Sequence, residues 1–178
     1  LLNEPWQIET GAGGDYKVFT PYWKAVKARY RAPDALPAPT SLAGPDVASD
    51  TLSDWNLHPT RPDWADGLAA TWTPGEAGAM ERLSDFLDSP VNAYAEARNR
   101  PDIDTGTSRL SPHLRFGEIG PAQVWRAVRH GVESGRVDEA GAMTFLSEIG
   151  WREFSYSLLF HNPDLASENY NPDFRHMP

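Results

Sequence analysis

The sequence of 178 residues contains no cysteine, which excludes a disulfide framework, an iron–sulfur cluster and a zinc site built on cysteine. It has no run approaching the ~20 apolar residues that a membrane span needs, and no N-terminal segment with the pattern of a secretory signal. An excess of positive charge is also lacking. The formal charge of -9 argues against broad, nonspecific attraction to nucleic acid, although it allows a local basic patch.

The composition that remains is that of a soluble globular chain, with 40% hydrophobic residues and a mean hydropathy of -0.54. Its length suits one ordinary domain or two small ones. With 14 glycines and 16 prolines, long connecting segments are expected. The chain begins Leu1-Leu2 and ends Met177-Pro178, so we expect it to be a piece of a larger protein.

The first 72 residues show few helix signals. Residues 1–19 have the composition of an extended or looped lead-in, and Thr20-Pro21 is a typical start for a short amphipathic helix over 21–30. From 31 to about 61, prolines lie among Ala, Ser, Thr and Asp, a composition that cannot pack a core of its own. This predicts a long surface linker, with one helical turn near 53–57.

From Trp72 onward the helix signals are dense. Thr73 and Glu76 have the spacing of a capping box at the start of a helix over 74–88. Prolines start three more helices, at 90–98, at Ser111-Pro112 and at Gly120-Pro121. The last helix, over about 137–160, has a broad apolar surface, as in a helix buried on most sides. No segment alternates with period two, so this part is predicted to be all-α.

The segment Thr105–Pro112 combines four hydroxyls, one arginine and one glycine, and it leads into a helix N-terminus. Free backbone N–H groups, hydroxyl donors and the positive end of a helix dipole together bind phosphate well. The alternative is a plain Ser111 N-cap after a polar loop. No Walker or dinucleotide fingerprint decides between the two.

A second cluster lies on the last helix, where Glu148, Trp151 and Arg152 share one face because they are three and four positions apart. A carboxylate, an indole and a guanidinium on one wall could hydrogen-bond and stack with a planar base. The alternative is a Glu148–Arg152 pair beside a core tryptophan.

Basic residues are unevenly distributed along the chain. The first 104 residues hold 9 basic against 16 acidic residues, and the remainder holds 7 against 9. The helical part could therefore present a basic face to phosphates, from the arginines Arg98, Arg100, Arg109, Arg115, Arg126, Arg129 and Arg152. The five histidines show no metal-ligand spacing, so no metal site is predicted.

Three motifs in combination resemble the DNA photolyase/cryptochrome family, most closely a bacterial class I cyclobutane pyrimidine dimer photolyase. They are Gly-Asp-Tyr-Lys-Val-Phe-Thr-Pro-Tyr-Trp at 14–23, Thr-Ser-Arg-Leu-Ser-Pro-His-Leu-Arg-Phe-Gly-Glu-Ile at 107–119, and Phe-Leu-Ser-Glu-Ile-Gly-Trp-Arg-Glu-Phe at 145–154. The resemblance covers essentially the whole chain.

The resemblance implies a mainly α fold, the first half of the helical FAD-binding domain of a photolyase, preceded by an interdomain linker and the tail of the α/β antenna domain. It places residues 1–30 at the C-terminal end of the antenna domain, 31–72 in the linker, and 73–178 in the N-terminal part of the helical domain. No catalytic residue falls within the chain. The expected apolar surface on 137–160 would be exposed where further helices of the family pack.

By resemblance, FAD is the cofactor, and its phosphates are held by the loop before the short helix, with a tyrosine and an aromatic wall nearby. The implied cofactor-binding residues are Tyr94, Thr107, Ser108, Arg109, Leu110, Ser111 and Phe145, where Phe145 replaces the family's usual tryptophan. The implied DNA- and substrate-binding residues are Arg98, Glu148, Trp151, Arg152 and Ser155.

The activity implied is light-driven repair of UV-damaged DNA, in which FAD donates an electron that splits a flipped pyrimidine dimer. The resemblance further implies a second antenna chromophore of folate or deazaflavin type, a monomer without membrane association, and a bacterial cytoplasmic location. We expect the 178-residue piece alone to be inactive. Two alternatives stay open: a cryptochrome-type blue-light photoreceptor, and a helical interaction module without a cofactor.

Overall fold

Helices supply the regular structure of this chain. The computed structural model describes residues 1–34, 36–174 and 176. Within these residues the α-helices are α1 (Phe19–Arg29), α2 (Asp66–Thr71), α3 (Glu76–Asp88), α4 (Tyr94–Ala97), α5 (Ser111–Phe116), α6 (Pro121–Glu133) and α7 (Glu139–His161). Short 3-10 turns occur at Pro5–Gln7, Leu52–Trp55, Pro90–Ala93, Pro163–Ala166 and Pro172–Phe174. The described residues contain no strand, so the predicted mainly α fold is confirmed.

The 23-residue helix α7 is the centre of the fold. Its N-cap residue is Asp138, whose carboxylate accepts hydrogen bonds from the backbone N–H groups of Ala140 and Gly141 and so caps the first turn. Helices α1, α4 and α6 and the turn Pro90–Ala93 all pack against it. Its buried residues, which face several of these neighbours, are Gly141, Ala142, Phe145, Leu146, Ile149, Gly150, Glu153, Phe154 and Ser157. The prediction of a helix buried on most sides is therefore correct for the first half of α7, but not for its C-terminal half.

Two glycines of α7 let neighbouring elements approach its backbone closely. A Cβ atom at Gly141 would lie 2.1 Å from the carbonyl oxygen of Val91, in the turn that leads into α4. A Cβ atom at Gly150 would lie 2.6 Å from the ring of Trp23 on α1. Because neither approach leaves room for a side chain, these glycines decide how near α4 and α1 lie to α7.

The segment between α1 and α3 is largely exposed, as its composition predicts. The predicted turn near 53–57 is present at Leu52–Trp55. Helix α2 was not predicted. None of its residues is buried, so the apolar periodicity that reveals a packed helix is missing from its sequence.

Some helices do not begin at the residues that were predicted to cap them. Helix α3 begins at Glu76 with Gly75 at its N-cap, so the predicted capping box from Thr73 is wrong. Gly75 has a φ of 100°, which favours glycine, and its backbone donates a hydrogen bond to Glu118 from a distant part of the chain. The predicted helix over 90–98 is the 3-10 turn Pro90–Ala93 followed by the short α4.

The C-terminal half of α7 presents large hydrophobic side chains to solvent, within the segment where the resemblance implies that further helices of the family pack. Trp151, Tyr156, Leu159 and Phe160 are each between 40% and 50% exposed. No helix among the described residues is both long and apolar enough to cross a membrane.

Candidate functional site

The loop before α5 faces α7 across a cavity of ≈ 580 Å³. Helix α4 closes one side of it, so three separate parts of the chain meet there. The lining residues are Tyr94, Thr107, Ser108, Arg109, Leu110, Ser111, Leu114, Arg115, Phe145, Glu148, Ile149, Arg152 and Tyr156. All seven residues predicted to bind a cofactor lie on this list.

The loop has a special backbone conformation at its centre. Arg109 adopts a φ of 51°, in the left-handed region that non-glycine residues seldom enter. Its guanidinium lies 3.5 Å from the Asp104 carboxylate, and the Ser108 hydroxyl accepts the Leu110 N–H. Gly106 anchors the start of the loop, because a Cβ there would lie 2.6 Å from the Ala97 carbonyl oxygen. The loop is therefore held against α4.

The hydroxyl groups of this loop are available to a ligand. Within the described residues, the Thr107 and Ser111 hydroxyls have no protein hydrogen-bond partner, and no side chain caps the start of α5. The alternative that Ser111 only caps the helix is wrong, because the N-cap residue is Leu110. The loop supplies hydroxyl donors and a guanidinium to one cavity, which is chemistry that suits an anion.

An aromatic cluster forms the apolar wall of the cavity. The rings of Tyr94 and Phe145 meet edge to face at 5.4 Å, and Phe86 packs against both, at 5.5 Å from Tyr94 and 4.7 Å from Phe145. Burial raises the pKa of Tyr94 above its ordinary value of 10.0. The Tyr94 hydroxyl is therefore protonated at neutral pH and can donate a hydrogen bond.

Glu148 pairs with Arg98, the C-cap residue of α4, and not with Arg152 on its own helix. The hydrogen bond to Glu148 raises the pKa of Arg98. The Arg98 guanidinium also lies 5.7 Å from the centre of the Tyr94 ring. The pattern Glu148–Arg152 had suggested an i,i+4 ion pair as one alternative, and the structure shows that alternative to be wrong.

Of the remaining residues predicted to contact the substrate, Arg152 lines the cavity, whereas Trp151 and Ser155 are exposed on α7 and do not line it. Arg152 donates to Glu153 at 3.0 Å and lies over the Tyr156 ring at 4.9 Å. Trp151 is 46% exposed, so it is not a core tryptophan. The Ser155 hydroxyl donates to the Trp151 carbonyl oxygen at 2.9 Å and does not line the cavity.

Four lining residues were not predicted to contact the cofactor or the substrate: Leu114, Arg115, Ile149 and Tyr156. Arg115 was predicted only as one of the arginines of a basic face. Tyr156 could have been found, because it follows Glu148 and Arg152 at intervals of four on one helix face. Leu114 and Arg115 lie inside the second motif, but only the tertiary structure shows that the short helix α5 faces α7.

Glu153 is a buried carboxyl beside this site. It accepts the backbone N–H of Leu2 at 2.5 Å and the Arg152 guanidinium at 3.0 Å. Burial raises its pKa above the ordinary value of 4.5, although the hydrogen bond from Leu2 and nearby positive charges oppose the shift. The Glu153 carboxyl therefore binds its proton more tightly in the folded chain than in the unfolded chain.

We expect Glu153→Gln to change the pH dependence of stability. A raised carboxyl pKa in the folded state contributes stability at acidic pH that is lost as the pH rises above 4.5 and through the folded pKa. The uncharged amide has no such loss, so the stability of the variant relative to the parent should rise with pH. Urea denaturation between about pH 4 and pH 8 measures this difference. Glu139→Gln, on the exposed first turn of the same helix, is the control. If the stability difference between variant and parent depends no more on pH for Glu153→Gln than for Glu139→Gln, the prediction is wrong.

Comparison with known proteins shows what the chain is similar to. It is 44% identical over 176 residues to the deoxyribodipyrimidine photo-lyase of Agrobacterium fabrum, a match that covers 98% of this chain and 36% of that protein. It is 29% identical over 170 residues to Cryptochrome-1 of Arabidopsis thaliana, covering 92% of this chain and 25% of that protein. A scan against family models finds no match.

A solved structure agrees with these relatives. The crystal structure of a bacterial class III photolyase from Agrobacterium tumefaciens superposes on the whole chain with a TM-score of 0.90 and 44% sequence identity, and the match covers 37% of that chain. The chain belongs to the DNA photolyase and cryptochrome family.

Membership of the photolyase and cryptochrome family confirms the resemblance carried by the three motifs. The subclass suggested by the motifs differs from that of the solved structure. The motifs most closely resemble a class I photolyase, whereas the solved structure is that of a class III photolyase. The chain spans 36% and 38% of the length of two curated photolyases that it matches. The activity of a whole photolyase is therefore a proposal for this chain.

Proposed function

We propose that this chain is the part of a deoxyribodipyrimidine photolyase that holds the phosphates of FAD and forms one wall of the pocket for damaged DNA. The observation that carries the proposal is the shared cavity. The hydroxyl-bearing loop at 107–111, the aromatic wall of Tyr94 and Phe145, and Glu148 all line it. A cofactor site and a substrate site side by side are what electron transfer between the two requires.

The residues present fit FAD. Thr107, Ser108 and Ser111 offer hydroxyl donors to a diphosphate, and Arg109 offers a guanidinium, which pairs well with phosphate oxygens. Tyr94 and Phe145 would provide the apolar contact that a flavin or adenine ring needs. Reduced FAD, when bound, supplies the electron that opens the cyclobutane ring under blue light.

The substrate in this proposal is UV-damaged DNA whose pyrimidine dimer is flipped out of the helix. A dimer stacks and pairs poorly, which lowers the free-energy cost of extruding it. Glu148 would accept a hydrogen bond from a base, and Trp151 would stack on it. Arg98 and Arg152 would contact the damaged strand, and Ser155 lies at the edge of this surface.

The domain assignment follows from the same proposal. Residues 1–30 would be the end of an α/β antenna domain, 31–72 the linker, and 73–178 the first part of a helical FAD domain. An antenna chromophore of folate or deazaflavin type would bind elsewhere in the longer protein. We propose that this protein is a monomer that acts on DNA in the bacterial cytoplasm.

Comparison of the 178-residue chain with the longer protein tests the proposal. We expect the longer protein to show flavin absorbance and to split pyrimidine dimers in blue light. We expect no repair by the 178-residue chain, because it spans only 36% of the Agrobacterium photolyase. Repair is measured by the recovery of absorbance of an irradiated oligonucleotide. A longer protein without flavin would contradict the proposal, and repair by the short chain would contradict the expected inactivity.

A cryptochrome-type photoreceptor is the second candidate, supported by the similarity to Cryptochrome-1 of Arabidopsis thaliana. A photoreceptor would use the same FAD site without needing residues that hold a damaged base. Replacement of Glu148 distinguishes the two functions, since only a repair enzyme should lose affinity for the dimer.

A further inference from the structure

The exposed tryptophan of α7 has one face covered by a residue from the start of α1. The rings of Phe19 and Trp151 stack face to face, with centroids 3.8 Å apart and planes 10° apart. Trp151 is nevertheless 46% exposed, so a large part of the indole remains open to solvent. This is the closest aromatic stacking in the described part of the chain.

We infer that Phe19 is a positioning residue that holds the Trp151 indole flat, so that its open face is ready for the flipped base. The inference rests on the proposed function, in which Trp151 stacks on the damaged base. Phe19 precedes the long linker and Trp151 follows it. Phe19, which lies in the segment assigned to the antenna domain, would then help to form the substrate site of the helical domain.

Phe19 is itself fixed by buried neighbours. Its ring runs parallel to Trp23 at 6.3 Å, and Phe154 meets it edge on at 6.0 Å. Trp23 and Phe154 are 7% and 5% exposed, so both belong to the core. Trp23 in turn lies against Gly150, the residue before Trp151, where no side chain would fit.

A fixed ring matters because an exposed tryptophan on a helix surface otherwise samples several rotamers. Binding a base would then have to order the indole as well, and immobilising a side chain on binding costs ~0.5–1.5 kcal/mol, or ~2- to 13-fold in affinity. A stacking platform that is already ordered avoids this loss. We therefore expect the loss of Phe19 to weaken dimer binding by about 3- to 10-fold.

The test uses the longer photolyase with its flavin and measures affinity for an oligonucleotide with one pyrimidine dimer and for the undamaged oligonucleotide. Phe19→Leu should weaken dimer binding about 3- to 10-fold, leave undamaged DNA binding and flavin content unchanged, and reduce the near-UV circular dichroism of tryptophan. Phe19→Tyr, which keeps the ring, should restore both the affinity and the spectrum.

Two further variants separate positioning from a general effect on folding. Phe160→Leu is the matched control, because Phe160 also packs on a tryptophan, Trp6, at 5.5 Å at the far end of α7. It should leave dimer binding unchanged. In a Trp151→Ala background, Phe19→Leu should cause no further loss, because a residue that acts through Trp151 has nothing left to position.

The failure of this inference differs from the failure of the proposed function. A wild-type protein with no preference for the dimer would contradict the proposed function. A wild-type preference that Phe19→Leu leaves intact would overturn only the role of Phe19, as would losses that add to those of Trp151→Ala. If Phe19→Leu loses its flavin or unfolds, Phe19→Met preserves the volume at this site. The same failure in Phe19→Met would show Phe19 to be a folding residue and would also overturn the inference.

Discussion

Replacing Gly141 by alanine should lower the free energy of unfolding of this chain by about 2 kcal/mol. Alanine is favoured over glycine in a helix by ~1 kcal/mol, so the variant would be stabilised if space were available. The new Cβ would instead lie 2.1 Å from the Val91 carbonyl oxygen and 3.1 Å from the Asn92 Cα. Both are backbone atoms, so relief requires a shift of the whole turn, and overpacking of this kind costs ~1–3 kcal/mol or more.

Urea denaturation followed by circular dichroism measures this loss. Gly67→Ala is the control, because Gly67 also lies in a helix, α2, but has open space around it. It should cost no stability. The turn at Val91 leads directly into Tyr94, so Gly141→Ala should also lower the flavin content of the longer protein. Equal stability of Gly141→Ala and the parent would show that α4 does not need this close approach.

Glu148→Ala in the longer photolyase should weaken binding to the pyrimidine dimer by about 10- to 100-fold, while binding to undamaged DNA stays nearly constant. A hydrogen bond to a charged group contributes ~1.5–3 kcal/mol, and in the proposed function Glu148 forms one with the flipped base. Its side chain is 30% exposed and paired with Arg98, so it is held at the rim of the cavity in the absence of DNA. Glu148→Gln keeps an acceptor oxygen and should lose less affinity.

Two comparisons make this result specific. Glu139→Ala removes a carboxylate from the exposed first turn of the same helix and should leave dimer affinity unchanged. A double-mutant cycle of Arg98→Ala, Glu148→Ala and the double variant separates the loss caused by an unpaired Arg98 from the loss of the DNA contact of Arg98 itself. Unchanged dimer affinity in Glu148→Ala would contradict the repair function and favour a photoreceptor.

Much of the fold could be predicted because its signals are local. Proline at the first helical position and apolar spacing along one face predicted α1, α3, α6 and α7 with small errors at their ends. Helix α7 was predicted over 137–160 and observed at Glu139–His161. The errors fell at predicted caps. Thr20 lies inside α1, whose N-cap is Val18, and the N-cap of α3 is Gly75, whose backbone hydrogen-bonds to the distant Glu118.

The candidate site could be predicted in part for a similar reason. Hydroxyls and an arginine in one short loop reveal anion chemistry without any tertiary knowledge, and the positions of Glu148 and Arg152 on one helix face follow from helical spacing. Their partners did not follow from spacing. Arg98 pairs with Glu148 although 50 positions separate them, and Arg152 donates to its neighbour Glu153 in place of Glu148 at the i,i+4 position.

The sequence by itself determined that the regular structure after Thr73 consists of helices, that the loop at 107–111 is chemically suited to phosphate, and which family the chain belongs to. These properties depend on residue type and short-range spacing. Only the tertiary structure decided that this loop, Tyr94 and Glu148 share one cavity, and that Phe19 lies flat on Trp151. Such contacts join residues far apart in the chain, and they exist because Gly141 and Gly150 allow other elements to pack closely on one long helix.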